Sequence, residues 1–569
     1  MNQPTPAIVA QGSVRRLPRI ALLLLCAVYV LSGFVGRAPL KSADMTAFGY
    51  MAELAGGNSA WLAPQLMGIA PEVDALLPYW LGAWAMQLAP NWMASDFAAR
   101  IPFILLLTLT LFATWYASYY LARNPQAQPV AFAFGGEALP PDYARAMADG
   151  ALLAFLACLG LAQLSHETTP ALAQLCFVAL TFFAFAARPY RTVAPAVCMA
   201  IGLSGLTLSG APALAALLGA GGALICLLDR SPESGAQRSK ALWAGAIALL
   251  GIMLALLANG LHLWRWRIEL PQASWDEWRS MGRLLLWFTW PAWPLALWTL
   301  WRWRHQLLQF RAPSRHLALP LWFVGVAVAA TLSTASADRS LLLALPALAA
   351  LAAFALPTLK RSVAALIDWF TLLFFSGCAI SIWIIWIAMQ TGVPSQVAAN
   401  VARLAPGFEH SFSLFPFAIA SAATLAWGWL VRWRVGRHRA AIWKSLVLPA
   451  GGSVLCFVLL MTLWLPLFNF TRSYAPLVQR TVDVLGSPAC VEVHGLSQGH
   501  IAAFRFHGRL KTQAVDPADS CPWLIINKDE LPTLPDFVDL KGWNLHSNLR
   551  HPSDRDEDLL IYQRSAIAP

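Results

Sequence analysis

The sequence predicts a polytopic α-helical membrane protein that carries a small α/β domain at its C-terminal end. Three observations lead there: thirteen long apolar segments, a composition 58% hydrophobic and only 12% charged, and basic residues that recur in every second connection. A helix crosses the hydrocarbon with about 20 apolar residues, and in lipid its backbone has no partner outside its own helix or a closed barrel. A mean hydropathy of +0.56 is not that of a soluble domain.

The expected spans lie near residues 18–36, 100–122, 149–165, 171–187, 193–209, 211–228, 241–262, 283–301, 317–334, 340–358, 364–389, 412–431 and 443–467. Lys and Arg in short loops stay on the cytoplasmic side, so Arg15, Arg16 and Arg19 before the first span place the N-terminus inside. Arg123 follows the second span, and Arg188 with Arg191 the fourth. Arg302, Arg304, Arg311 and Arg315 follow the eighth, Lys360 with Arg361 the tenth, and the run Arg432 to Lys444 the twelfth. One missed or invented span would put the later basic loops outside. The parity therefore also checks the count, and residues 1–468 form the membrane domain. The first span runs straight into Gly36, Arg37, Ala38 and Pro39 with no small-residue cleavage site, which predicts a retained anchor. The net charge of +11 is spread over inner loops, which predicts contact with anionic membrane lipid and no nucleic-acid partner.

The first outer loop, 37–99, is the longest connection in the membrane part. Ala47, Met51 and Leu54 follow a helical period after Asp44, and Leu76 to Leu88 is a second apolar stretch with Trp80 and Trp84. Such segments lie in the interface with their indoles at headgroup depth. The inner loop from Asn124 to Gly150 is rich in Pro, Gly and Ala and offers no chemistry.

After the last span, 469–569 form an outer domain of roughly 100 residues, enough to bury its own core. Tyr474 to Leu485 reads as a helix; Cys490 to Val493, Ile501 to Phe506, Trp523 to Ile526 and Leu559 to Tyr562 read as strands. Seven of the nine cysteines fall inside apolar spans, whereas Cys490 and Cys521 are the pair in the outer tail, where an oxidising compartment lets them form a disulfide. No His or Cys cluster has metal-ligand spacing, and no glycine-rich phosphate loop or nucleophile motif occurs.

Several outer motifs resemble one family. Asp44 near the start of the first outer loop, then Trp61, Leu62, Ala63, Pro64 and Gly68, then Tyr79 with Trp80, and Ala99, Arg100, Ile101 and Pro102 at the second span occur in order. Trp290 to Trp301, Asp338 and Arg339 before Leu341 to Pro346, and Asn469, Arg472, Ser473, Tyr474 and Pro476 continue the series. Together they resemble the GT-C membrane glycosyltransferases, of the aminoarabinose-transferase-like and protein-mannosyltransferase-like branch. That resemblance implies a GT-C fold, a polyprenyl-phosphate sugar donor and a lipid, glycan or protein acceptor at the outer face of a bacterial inner membrane. Departures also occur. Met45 replaces a second acid, Glu72 to Leu76 lacks the family's lysine, Ala171 stands where the family has an acid, and Leu208 to Pro212 lacks another lysine.

Transfer from a lipid-phosphate sugar needs an oriented acceptor, a base where a proton must leave, and positive charge for the departing phosphate. Asp44 and Glu167 are the expected catalytic acids, with Asp44 also the candidate ligand of a divalent metal ion. Glu72, Asp74, Tyr79 and His166 are expected to bind substrate, and Arg265, Arg267 and Arg339 to hold phosphate, with Arg279 and Arg283 as further candidates for that role. Each has a plainer reading. Asp44 caps its helix; Glu72 and Asp74 are solvated loop acids; His166 and Glu167 cap the next span; Trp264 to Arg267 anchors the interface; Arg339 pairs with Asp338. The same fold without the reaction is an alternative, a protein that binds lipid-linked glycans or envelope partners. A transporter is disfavoured, because Asp368 is the one acid clearly inside an expected span and no repeat is detected.

Overall fold

The computed structural model describes residues 5–230, 236–264, 274–308, 313–334, 337–435, 441–486, 488–515, 521–538, 540–554 and 557–565. After α1 (Arg19–Phe34), the first outer loop folds into α2 (Ala43–Ala55) and α3 (Leu77–Leu88) before α4 (Ser95–Ala122) returns. Next come α5 (Pro140–Ala157), the single turn α6 (Leu161–Leu164), α7 (Pro170–Ala187), α8 (Val193–Leu208), α9 (Pro212–Leu228) and α10 (Gln237–Gly260). The amphipathic α11 (Trp275–Phe288) leads into α12 (Ala292–Arg302), α13 (Arg304–Leu307), α14 (Arg315–Leu332), α15 (Ala337–Leu342) and α16 (Leu345–Ala353). The membrane part closes with α17 (Arg361–Thr391), α18 (Ser395–Leu404), α19 (Leu414–Val435) and α20 (Val447–Leu463).

Among the described residues, seven helices are long and apolar enough to cross a membrane, and four further apolar helices are shorter. The thirteen expected spans are therefore not thirteen continuous helices. α7 is buried over 89% of its apolar stretch, against 11% for α19, so α7 is the central helix and α19 presents its sides outward. The acid in α17, Asp368, pairs with Arg434 of α19.

Two expected spans, 149–165 and 283–301, are broken in the middle, and the breaks face each other. α5 stops at Ala157 ahead of the extended Cys158, and α11 stops before Pro291, which has no N–H to continue a helix. The freed backbone groups are exchanged between the two breaks. The Leu159 N–H donates to the Trp290 carbonyl at 3.1 Å and the Gly160 N–H to the Phe288 carbonyl at 2.9 Å. Irregular backbone is tolerated at membrane depth where protein covers it. A Cβ on Gly160 would lie 2.2 Å from the Phe288 ring. Gly160→Ala is thus expected to overpack the crossing and cost about 1–3 kcal/mol, read as a lower midpoint of thermal unfolding in detergent.

The N-terminal segment zips onto the loop after α4. Val130 N–H donates to the Ala7 carbonyl, Ala138 N–H to that of Val9 and Gln11 N–H to that of Gly136.

The C-terminal part begins with α21 (Leu465–Thr471) and α22 (Ala475–Leu485) and contains a sheet of order β2-β1-β3-β5-β4. Its strands are β1 (Val491–His494), β2 (Thr512–Ala514), β3 (Trp523–Asn527), β4 (Trp543–Arg550) and β5 (Asp558–Arg564). β1 runs parallel to β2 and β3, while β5 pairs antiparallel with β3 and β4. The expected strand Ile501 to Phe506 is instead part of α23 (Gln498–Phe506). Ser497 caps it by accepting from the His500 N–H, and its buried face docks on α2, where a Cβ on Gly49 would meet the Ala502 Cβ at 2.5 Å. A short apolar run does not distinguish strand from helix, and here the cap decides.

Cys490 and Cys521 are joined in a disulfide. They precede β1 and β3, whose parallel register sets Val491 beside Trp523 and brings the two cysteines together. The bridge closes a loop of sequence separation 31, so Cys490→Ser is expected to destabilise the outer domain by about 3–4 kcal/mol on the chain-entropy account. Proteolysis of the tail under reducing and oxidising conditions reads the effect.

Candidate active site

Two segments meet at one end of the helical part: 36–44, between α1 and α2, and 163–169, which leads into α7. Pro170 at the first position of α7 fixes where that helix starts and leaves Glu167 and Thr168 in the loop before it. Segment 36–44 is held from the C-terminal side. Asn469 accepts from the Ala38 N–H at 2.9 Å and donates to the Gly36 carbonyl at 3.1 Å. The Lys41 N–H donates to the Arg472 carbonyl, and its ammonium pairs with Asp554 at 3.2 Å and Glu557 at 2.8 Å. Ser42 then turns the chain at φ 64°, a value a non-glycine residue adopts only when its surroundings impose it.

Asp44 sits in the first turn of α2 and is 1% exposed. Its Oδ1 accepts from the Thr168 N–H at 2.7 Å and the Thr168 hydroxyl at 2.6 Å. Its Oδ2 accepts from the Leu40 N–H at 2.9 Å and lies 3.0 Å from the Arg37 guanidinium. Three hydrogen bonds and one ion pair thus occupy both oxygens of the carboxylate. Asp44 therefore joins the two loops and does more than cap its own helix. Arg37, 3% exposed, also donates to the His166 carbonyl at 2.7 Å. Burial works to raise the Asp44 pKa, but Arg37 and the hydrogen bonds from Thr168 and Leu40 outweigh it and hold the carboxyl below its ordinary value.

Glu167 is the opposite case. One carboxylate oxygen accepts from the Gln163 amide at 3.2 Å, and the other pairs with Arg339 of α15 at 3.3 Å. Burial and then the charge of Asp44 push its pKa up, against the pull of Arg339, Gln163 and Arg37. The two neighbouring acids are thus driven apart, the Asp44 carboxyl held below its ordinary pKa and that of Glu167 above it. The Arg339 side chain is 31% exposed, so this partner faces outward from the buried pair. Asp338 does not pair with the Arg339 guanidinium in this arrangement; its carboxylate accepts from the Arg339 N–H at 2.9 Å.

The other candidates are placed as follows. His166 is 2% exposed, with its ring nitrogens turned to the Ala162 and Tyr29 carbonyls and its ring among Tyr29, Phe34 and Phe457. It packs helices together, and its main chain rather than its ring meets Arg37. Glu72 is exposed in the first outer loop. Asp74 adjoins the turn after α8: the Leu76 N–H donates to the Leu208 carbonyl, and a Cβ on Gly210, at φ 80°, would come within 3.0 Å of the Asp74 carbonyl. Tyr79 packs its ring against Tyr50 at 5.5 Å. The Trp-Leu motif is pinned by the Trp80 indole, which donates to the Trp61 carbonyl at 2.7 Å. Arg265 and Arg267 lie outside the described residues, and Arg279 and Arg283 lie exposed on α11.

Arg37, Thr168 and Gln163 are not among the site residues expected from the sequence, and Arg100 is expected only as part of the Ala-Arg-Ile-Pro motif. Arg100 is buried beside this site, pairing with Asp96 at 2.8 Å and donating to the Phe34 carbonyl. Arg37 does carry a signal, because it lies at the opposite end of the first expected span from Arg15, Arg16 and Arg19, where the positive-inside rule does not expect a basic residue. Thr168 and Gln163 carried none, since their partners are set by tertiary structure. Asp44 is held by three hydrogen bonds and an ion pair, and among the described residues no group of three or more His, Cys, Asp or Glu side chains could hold a metal ion together.

No protein-family model matches this chain. No curated protein matches it either. Among solved structures, ArnT from Cupriavidus metallidurans in the apo state superposes with a TM-score of 0.60 at 13% identity, covering 96% of this chain and 97% of that one. The same protein bound to undecaprenyl phosphate gives a TM-score of 0.57 at 13% identity, over 97% of this chain and 100% of that one. The chain is a membrane-embedded helical protein with a small C-terminal sheet domain, and over nearly its whole length its fold is the GT-C fold of ArnT.

Proposed function

We propose that this protein is a glycosyltransferase that moves a sugar from a polyprenyl-phosphate carrier to a lipid, glycan or protein acceptor at the outer face of a bacterial inner membrane, with its N-terminus cytoplasmic and its C-terminal domain periplasmic. The observation that carries the reading is the pairing of Glu167 with the partly exposed Arg339 beside a fully anchored Asp44, in a fold shared with a protein crystallised with undecaprenyl phosphate. An acceptor hydroxyl forms its bond to the anomeric carbon while the bond from that carbon to the donor phosphate breaks. The electron pair leaves on the polyprenyl phosphate, and the hydroxyl proton passes to Glu167. Arg339 presents a planar guanidinium to the departing phosphate. In this reading Asp44 and Arg37 are positioning residues.

Purified protein in detergent, given a panel of polyprenyl-phosphate sugars and a membrane lipid extract, is expected to transfer sugar, and Arg339→Ala to weaken donor use. Transfer by no donor, with a polyprenyl phosphate still bound, would favour a second reading, a binding protein without catalysis. The observation behind that reading is the absence of lysine in Glu72 to Leu76 and in Leu208 to Pro212.

A further inference from the structure

We propose that Arg37 stands in place of a divalent cation: its guanidinium is the resident positive charge that joins the Asp44 and Glu167 segments, and the protein works without a metal ion at this site. The inference rests on the transferase reading for its catalytic consequence, but not for its statement about ion binding.

Three features of the geometry carry it. First, Arg37 makes the bridge that a shared ion would make. From a position 3% exposed it reaches Asp44 on one segment at 3.0 Å and the His166 carbonyl, next to Glu167, on the other at 2.7 Å. Second, the ligand an ion would need is already engaged, since three hydrogen bonds and the Arg37 ion pair occupy both Asp44 oxygens, and a cation that demands a full shell of oxygen ligands would have to displace them. Third, Glu167 is turned to a different cation and an amide, Arg339 and Gln163, so the two carboxylates do not converge on one point. An ion placed beside Arg37 and Arg100 would also meet two buried guanidiniums of like charge. Arginine cannot give up its charge, so this cation is permanent and independent of ion supply.

The test combines ion binding with transfer. Full-length protein in lipid nanodiscs is titrated with Mn2+, and the bound ion is measured from the loss of the free-ion electron paramagnetic resonance signal, beside Asp44→Asn and Glu167→Gln. Equal binding by all three is expected. A Mn2+ site present in the parent protein and lost in either variant overturns the proposal whether or not sugar is transferred. Where transfer is observed, EDTA is expected to leave it unchanged, and a loss restored by Mn2+ overturns the proposal. A further reading separates charge from mere packing. The groups facing Glu167 are Arg37, Arg339, Asp44 and the neutral Gln163. Arg37→Gln is expected to move the acid limb of the rate profile to higher pH, and Arg37→Lys to keep it in place. An acid limb unmoved by Arg37→Gln contradicts the assignment, and complete absence of transfer by the parent protein counts against the transferase reading alone.

Discussion

Glu167→Gln is expected to lower kcat for sugar transfer by about 10²- to 10⁴-fold, the range by which a positioned base accelerates a reaction. The amide keeps the size of the side chain and can still accept from Gln163, so folding and donor binding should change far less than turnover. The pH dependence follows from the same environment. Burial and the neighbouring Asp44 raise the Glu167 pKa, so the free base is present at high pH and is lost as pH falls through that raised value. The rate should therefore fall on the acid side at a higher pH than an ordinary glutamate would produce. Donor binding to Arg339 takes a positive partner from Glu167 and should raise its proton affinity further. The acid limb of kcat should then lie above that of kcat/KM, and initial rates across a pH series at saturating and low donor separate the two.

Asp44→Ala is expected to be the most damaging change to folding, at about 3–5 kcal/mol, because it leaves the buried Arg37 guanidinium without its counter-ion. It also strands the Leu40 and Thr168 N–H groups, each of which now donates to the carboxylate. The two outer segments would lose their common anchor, so the loop carrying Glu167 would loosen along with the one carrying Ser42. Thermal unfolding of the detergent-solubilised protein measures this. Asp44→Ala combined with Arg37→Ala should be less destabilised than the two single losses added together, since the pair is lost as a unit. Additive losses would mean that the ion pair contributes little, and that the main-chain hydrogen bonds do the anchoring.

Much of the architecture is legible in the sequence because lipid imposes few solutions: apolar length and composition already define a helical membrane protein, and the change of pattern after the last span marks a separate C-terminal domain. The broken helices at Leu159–Gly160 and Thr289–Pro291 are not legible. Hydropathy sums side chains and is blind to a backbone that leaves its own helix to pair with another. In the candidate site, Asp44, Glu167 and Arg339 are far apart in the chain but visible as outer-face ionisable residues, and the fold sets them in one network. His166 looked equivalent to Glu167 from its position alone. The direction of its ring, between Tyr29, Phe34 and Phe457, depends on helices that sequence reading cannot bring together. Arg37 is visible too, as a basic residue at the far end of the first span from Arg15, Arg16 and Arg19, but its partners Asp44 and the His166 carbonyl are set by tertiary structure. The strand expected at Ile501 to Phe506 failed for a local reason, the Ser497 cap, which turns the same apolar run into a helix.

In the proposed reaction Glu167 accepts the proton that the acceptor hydroxyl loses as it takes the sugar from the polyprenyl-phosphate donor. The most direct measurement follows, by mass spectrometry, the polyprenyl phosphate released and the glycosylated acceptor formed by the purified protein and by its Glu167→Gln variant, under identical donor and acceptor. The account predicts equal amounts of the two products from the parent protein, and release slowed by orders of magnitude in the variant with donor still bound. Equal turnover by both proteins would contradict it.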